Sequence, residues 1–350
     1  MLVAYVSGHG FGHATRLCEV LAAVRARAPV LPITFVGTVP ERLVRRAVSP
    51  PLLVRAQAVD VGLRQRDALE IDEAASAEAC LAFEASWEAR VAAEVAFLRG
   101  CGAQAVLGDI PALPFEAAAR AGLPSLALGN FSWDWIYRHL SARQPSLAGS
   151  AALAAAAYAS VARLLELPFA AGLEAFPVRE AIGLVARRPR VERREARRRL
   201  GLDGRPAALV SFGGIGLPGL SRAALERDAG IRWLLPDELP EEHLAALDLG
   251  YPDLVGAADV VVTKPGYGIV SDAIGAGTRL VYTERGDFPE YPVMVAELPR
   301  WLAAVHVSNV ELRSGRVGAA VHRVLELPMP APPPLDGASR AAARVLEALG

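Results

Sequence analysis

Disulfide chemistry, membrane spans and a surplus of one charge are all missing from this chain. Its three cysteines, Cys18, Cys80 and Cys101, are scattered, odd in number and without the paired spacing of a zinc site. Neither a disulfide framework nor a structural zinc is expected, and a reducing, cytoplasmic setting fits. No uninterrupted apolar run approaches the roughly 20 residues that cross a bilayer, and Met1 to Val6 is too short and lacks the basic leader of a signal peptide. A soluble protein without a transmembrane segment is the expectation. The formal net charge of −1, with no base-stacking aromatic motif beside a basic face, argues against nucleic acid as a partner. Lysine is nearly absent as well: among 37 Lys and Arg residues, only Lys264 is a lysine.

What is present is apolar substance and glycine turns. At 350 residues and 53% hydrophobic, the chain exceeds what one core supports, so two domains of ordinary size are expected. It opens on an apolar strand, Leu2 to Val6, that runs into Ser7-Gly8-His9-Gly10-Phe11-Gly12-His13-Ala14-Thr15-Arg16. Glycines there allow positive φ and close approach of a ligand, while the following helix offers unpaired N–H groups and the positive end of its dipole. A histidine at that point can meet a bound hydroxyl. The dinucleotide fingerprint would place glycine where His13 stands and an acid after the second strand, where Gly37-Thr38-Val39-Pro40 supplies none. A nicotinamide cofactor is therefore not expected.

Strands at Pro32 to Val36, Pro51 to Val59, Ala103 to Leu107 and Ser125 to Leu128 alternate with helices at His13 to Ala28, Pro40 to Ala47, Ala74 to Arg99 and Pro114 to Ala121. Cys80, Phe83, Trp87, Val91, Val95 and Leu98 recur at spacings of three and four, one apolar stripe on a single long helix and core rather than cofactor box. Alternation of this kind implies a parallel sheet covered on both faces, with ligands at the carboxyl ends of its strands. His13, Asp109 and Asn130 then share one rim. The aromatic segment Phe131 to Tyr137, containing Trp133 and Asp134, either lines an acceptor pocket or seals a domain cleft.

A Pro- and Arg-rich stretch, Pro177 to Arg199, reads as the linker into a second domain; Glu192 and Glu195 interleave with its arginines as helix ion pairs on a solvated face. Strand Ala207 to Phe212 then enters Gly213-Gly214-Ile215-Gly216, and Val260 to Thr263 enters Lys264-Pro265-Gly266-Tyr267-Gly268 and a helix to Ala276. Strands at Ile231 to Leu235 and Arg279 to Tyr282 complete the repeat of the pattern, followed by helices near Val293 to Leu302 and at Gly337 to Leu349. The expected architecture is α/β, with two Rossmann-like parallel-sheet domains, 1–182 and 183–334, facing a cleft, and a C-terminal helix in 335–350 that packs back on the first. The helix opened by Gly266, Tyr267 and Gly268 suits a diphosphate, with Gly213 and Gly214 as a second backbone approach. Lys264 adds a charge there or stands in solvent, and Asp272 reads equally as a ribose contact or a surface carboxylate.

Ser7 to Arg16, Asn130 to Tyr137 and Lys264 to Ala276 together resemble the GT-B fold glycosyltransferases. They are similar in particular to relatives of the N-acetylglucosaminyltransferase that completes lipid II, and more closely to the N-terminal region of plant L-arabinokinases. The resemblance spans nearly the whole chain. It implies that His13 is the base that takes the acceptor proton, that Asp272 holds the donor ribose where peptidoglycan enzymes carry Glu, that Gly213 and Gly214 form a donor-phosphate turn, and that Glu290 meets the donor sugar. The His-Gln pair common in those enzymes is absent from Asp287-Phe288-Pro289-Glu290-Tyr291, which leaves the sugar open, and no kinase domain is read, so phosphoryl transfer is not expected.

The expected activity is metal-independent, inverting transfer from a nucleoside-diphosphate sugar, UDP favoured, to a small-molecule or lipid-linked acceptor, without a cofactor. Asp109 is expected to orient His13, and His9, Gly10, Phe11, Gly12, Arg16, Asn130, Trp133 and Asp134 to form the acceptor side. Arg187 to Arg199 and Trp133 to Tyr137 permit peripheral membrane contact without requiring it. A sugar-nucleotide epimerase of the same architecture and a non-catalytic nucleotide-sugar-binding protein are the alternatives.

Overall fold

A computed structural model describes residues 1–213, 217, 220, 222–235 and 238–350. The chain divides into two compact units: unit 1 is Met1–Arg64, Ile71–Val185 and Leu335–Gly350, and unit 2 is Gln65–Glu70 and Ala186–Pro334. Unit 1 holds β1 (Leu2–Val6), β2 (Ile33–Gly37), β3 (Leu52–Ala56), β4 (Ala105–Asp109), β5 (Ser125–Gly129), β6 (Arg163–Glu166) and β7 (Arg179–Ala181). Unit 2 holds β8 (Ala207–Ser211), β9 (Arg232–Leu234), β10 (Val260–Thr263), β11 (Arg279–Tyr282) and β12 (Ala304–His306). Each set forms one parallel sheet, in the order β3-β2-β1-β4-β5-β6-β7 and β12-β11-β10-β8-β9. The α/β class expected from the strand and helix alternation is what the chain adopts.

Strand order places the sites. In unit 1 the order reverses between β1 and β4, whose register pairs Val6 with Asp109. In unit 2 it reverses between β10 and β8, whose register pairs Thr263 with Ser211. The chains leave such a pair of strands in opposite directions and open a crevice at their carboxyl ends, where ligands of open α/β sheets bind. The glycine turns singled out in the sequence follow β1, β8 and β10 and so start at these two points.

All five residues of β1 are buried on both faces of the sheet. Val3 and Tyr5 join Val36, Val91, Leu98 and Val106 in one core, each large side chain contributing roughly 1.5–3 kcal/mol of burial. The single long helix expected over Ala74 to Arg99 is instead two, Glu73–Glu84 and Trp87–Gly100. Ser86 breaks it: its backbone leaves the helical region (φ −114°, ψ 21°) and its hydroxyl donates to the Phe83 carbonyl, the local competition that serine offers a helix. The apolar stripe crosses the break and still packs as core, with Phe83, Trp87 and Val95 only partly buried.

The stretch read as a linker carries β7, a three-residue edge strand. Its arginines are mostly engaged: Arg193 and Arg197 both bind Asp259, and Arg199 binds Glu195 and Asp248. In unit 2, the short segment Gln65–Glu70 gives Ala68 and Leu69 to the core beside Val262, Val281 and Leu312. Asp67 folds it, accepting from the Leu69 and Glu70 N–H groups, and pairs with Arg313 at 2.6 Å. The final helix, Gly337–Leu349, lies on helix Phe11–Arg27 and buries Ala341, Ala342 and Val345. No helix of the described residues is long and apolar enough to cross a membrane.

Candidate active site

At the carboxyl end of β1 the chain turns through Gly10, at φ 79°, a conformation that glycine takes without strain. The helix Phe11–Arg27 starts directly after it, so His13 sits in the first helical turn and Arg16 one turn further along the same face. Both are buried. From β4, the fully buried Asp109 meets them: its Oδ1 lies 2.8 Å from His13 Nδ1, and Arg16 donates to both carboxylate oxygens at 2.6 Å. Arg16 Nη1 also donates to Asn130 Oδ1 at 2.7 Å, which fixes the end of β5 to the same cluster.

Burial alone would raise the Asp109 carboxyl, but the charges of Arg16 and His13 hold it below its ordinary value. The carboxylate therefore stays ionised and accepts from His13 Nδ1–H in preference to the Arg16 Nη2 approach to that nitrogen, which is longer at 3.1 Å. That tautomer leaves Nε2 as a lone-pair acceptor.

The other residues expected on the acceptor side take varied places. His9 Nδ1 accepts from the Leu63 N–H at 3.2 Å, and its ring stands edge-on to Trp133 at 5.2 Å. Trp133 is buried and stacked on Tyr137, Phe131 packs edge-on against His13, and Phe11 is exposed. Asp134 is buried and bound to Arg138 at 2.6 Å, so its carboxylate is committed to its own helix.

In unit 2, Gly213 takes φ 72°, while Gly214 lies outside the described residues. Lys264 leaves β10 immediately before Gly266, which starts helix Tyr267–Ala276. The N–H groups of Tyr267, Gly268 and Ile269 precede the first helical acceptor bond, Val270 N to Gly266 O, and point from the helix start. Beside them stands Arg285, which the sequence pattern does not mark. A side chain at Gly266 would come within 4.0 Å of its Nη1. Arg285 lies 4.0 Å above the Phe288 ring and donates to Glu290 Oε2 at 2.7 Å. Burial, and secondly the Arg285 charge, push Lys264 down to about 8. Two cations, of which Arg285 is paired with Glu290, and three amide N–H groups thus stand at one helix start.

Asp272, buried in the same helix, is held by Arg187, whose Nε lies 3.1 and 3.2 Å from its two oxygens and whose Nη2 also donates. Glu290 is likewise buried and paired with Arg285. Both carboxylates expected to meet the donor are thus engaged by arginines of the same unit.

No family model matches the chain. It is similar to an L-arabinokinase of Arabidopsis thaliana, 30% identical over 334 residues that cover 92% of this chain and 32% of the relative. The chain thus spans about a third of the curated relative's length. Its structure is similar to that of a kitacinnamycin glycotransferase, with TM-score 0.61 and 16% identity, covering 99% of this chain and 94% of the other. Phytolacca americana UGT2, solved with UDP-2-fluoro-glucose and pterostilbene, gives 0.61 and 14% over 99% and 94% of the two chains. The calicheamicin glycosyltransferase CalG4 gives 0.57 and 17% over 100% and 95%. The fold is GT-B. Sequence identities this low carry the architecture alone, and the L-arabinokinase similarity matches the resemblance seen in Ser7 to Arg16 and Lys264 to Ala276.

Proposed function

We propose that this protein is a glycosyltransferase that moves a sugar from a nucleoside-diphosphate donor to an acceptor hydroxyl with inversion and without a metal. The observation that carries the reading is the His13–Asp109 contact of 2.8 Å at the β1/β4 switch point, which leaves His13 Nε2 able to take a proton. Unit 2 supplies the second requirement, an anion seat of Lys264, Arg285 and the amides that open helix Tyr267–Ala276. UDP as the preferred nucleotide is supported by the Phytolacca UGT2 complex, an architectural neighbour.

In the reaction, His13 Nε2 accepts the proton of the attacking hydroxyl while its oxygen bonds to the anomeric carbon. The bond from that carbon to the diphosphate oxygen breaks, and its electron pair leaves with the nucleoside diphosphate. Lys264, Arg285 and the helix amides stabilise the charge that develops there. A single displacement inverts the anomeric configuration. Asp109 keeps the imidazole in the Nδ1–H form and takes no proton itself.

The test combines calorimetric titration of UDP, dTDP, GDP and ADP, in magnesium-free buffer, with acceptor-dependent release of the nucleoside diphosphate from the matching sugar donors. His13→Ala is expected to keep nucleotide affinity and lose turnover by about 10²-fold or more. Absence of binding by all four nucleotides, or unchanged turnover in His13→Ala, overturns the reading. Donor conversion without any acceptor would instead identify an epimerase.

A further inference from the structure

After Arg64 the chain leaves unit 1, gives Gln65–Glu70 to unit 2 and returns at Ile71. The excursion is a closed loop. At its base the Asp72 N–H donates to the Arg64 carbonyl at 2.9 Å, and nearer the tip the Arg66 N–H donates to the Glu70 carbonyl at 2.9 Å. Asp67 Oδ1 accepts from the Leu69 and Glu70 N–H groups at 2.7 and 2.9 Å, so the tip is folded by the turn that aspartate makes with its own backbone. Its Oδ2 accepts from Arg313 Nη2 at 2.6 Å. Burial would raise the Asp67 carboxyl, but Arg313 and the two amides hold it below its ordinary value, and it stays a carboxylate.

What the tip meets in unit 2 is the ground on which Lys264 and Arg285 stand. Ala68 and Leu69 are buried in the core that also holds Val262 of β10 and Val281 of β11. Those strands run directly into Lys264 and into the loop that carries Arg285. That loop is also touched from outside. Gly286 takes φ 58°, and a Cβ there would stand 3.3 Å from the Leu69 carbonyl oxygen, so the tip packs on the bare backbone one residue past Arg285.

Arg285 needs such a support. Its side chain lies on Phe288 and donates to Glu290, both within five residues of it, so these contacts move with the loop and do not fix the guanidinium against Gly266. The Leu69 carbonyl belongs to a distant part of the sequence and holds the same loop against the core of unit 2. A plain connection between units would need neither two buried apolar side chains nor a carboxylate committed to both its own turn and an arginine. The Asp67 charge adds a second effect, since it supports the Lys264 ammonium that burial and Arg285 push down to about 8.

We propose that Asp67 is a positioning residue of the donor-phosphate seat: it fixes loop 64–72 so that the Leu69 carbonyl braces Gly286 and holds Arg285 at the start of helix Tyr267–Ala276. The use of that seat for a diphosphate rests on the transferase reading; the hold of the loop on Arg285 does not. Asp67 touches no substrate in this arrangement and acts through the arginine.

The experiment is a double-mutant cycle on the full chain: wild type, Asp67→Ala, Arg285→Ala and the double variant. UDP affinity is read by calorimetry at pH 6.5, where Lys264 stays charged, and amide hydrogen exchange over residues 283–288 is followed without ligand. Arg313→Gln breaks the same ion pair from its other side and replaces Asp67→Ala if that variant does not fold. Asp67→Ala is expected to speed exchange over 283–288 by about tenfold and to weaken UDP by about fivefold. With Arg285 already Ala, the same substitution should change UDP affinity by less than about twofold, because the loop acts through that side chain. The proposal is overturned if exchange and UDP affinity keep their wild-type values in Asp67→Ala and Arg313→Gln, or if the weakening is equal with and without Arg285, as a purely structural link would give. If wild type binds no UDP, the donor reading falls, and exchange over 283–288 alone decides whether the loop holds Arg285.

Discussion

Arg187 closes over Asp272, with Nε 3.1 and 3.2 Å from the two carboxylate oxygens and the backbone N–H 3.3 Å from one of them. Both oxygens of this buried carboxylate are thereby engaged by one arginine. A ribose that uses Asp272 must displace Arg187, which can withdraw because its side chain is 24% exposed and also lies 5.3 Å from the Tyr251 ring.

Arg187→Gln should therefore tighten UDP binding by a few-fold while lowering stability by about 1–3 kcal/mol, because the buried carboxylate loses its charge partner. Asp272→Ala should weaken UDP binding by about tenfold through the loss of two hydrogen bonds to a charged group. Calorimetry and thermal melts on both variants check the pair. A weaker UDP affinity in Arg187→Gln would show that the arginine belongs to the nucleotide site.

Lys264 gives a pH signature of opposite sign for binding and for folding. Its ammonium is pushed down to about 8 by burial and by Arg285. Above that pH the folded protein loses the cation and with it part of its hold on a diphosphate. UDP affinity should fall as pH rises through about 8, shifted upward where bound anion restores the proton. The unfolded chain keeps the proton to about 10.4, so between these values it binds more protons than the native state, and stability rises with pH over the same window. Lys264→Arg should abolish both trends. Because Lys264 is the only lysine, acylation mapped to its own peptide, apart from the α-amino group, reports one side chain, and UDP should protect it.

The Arg16–Asp109 pair sets a further expectation. Asp109 is held below its ordinary value, so its contribution to stability is present above the unfolded value of about 3.9 and is lost as pH falls below it. Asp109→Asn leaves Arg16 buried without its anion, a loss of about 3–5 kcal/mol. His13→Ala, which breaks no charge pair as strong, should cost less. Urea denaturation at neutral pH orders the two variants, and the acid limb should flatten in Asp109→Asn.

The sheets were legible because their strands are short β-branched or apolar runs cut off by glycine or an acid: Val260 to Thr263 and Arg279 to Tyr282 have the boundaries their composition implies. β6, β7 and β12 were not, since Arg163-Leu164-Leu165-Glu166 and Arg179-Glu180-Ala181 carry charges and show no periodicity, and Ala304-Val305-His306 is only three residues long. The glycine turns marked where His13, Arg16, Asp109 and Asn130 would assemble, because strand ends in a parallel sheet share a rim. Asp60 and Arg285 gave no comparable signal. Asp60 stands between two valines and Arg285 among Glu284 and Asp287, and only the packing of distant segments sets one on the Gly8 N–H and the other beside Gly266. The Ala68 and Leu69 contribution to unit 2 is equally invisible, since two apolar residues between charges have no period.

Gly337 tests how the C-terminal helix is held. A Cβ there would stand 2.0 Å from the Gly183 carbonyl oxygen and 2.7 Å from its carbon, backbone atoms that cannot rotate away, and the Gly337 N–H donates to the Leu184 carbonyl at 3.3 Å. The helix behind it buries Ala341, Ala342 and Val345 against helix Phe11–Arg27, and Arg27 reaches Ser339 at 2.6 Å. Gly337→Ala must either shift the helix start or undock it, at about 1–3 kcal/mol. Because helix Phe11–Arg27 carries His13 and Arg16 in its first turns, undocking would loosen the base as well as the terminus. The expected result is faster proteolysis after Leu335 and a lower melting temperature, with turnover falling and UDP affinity unchanged. Equal proteolysis of variant and wild type would show that the helix start has room the glycine contact denies.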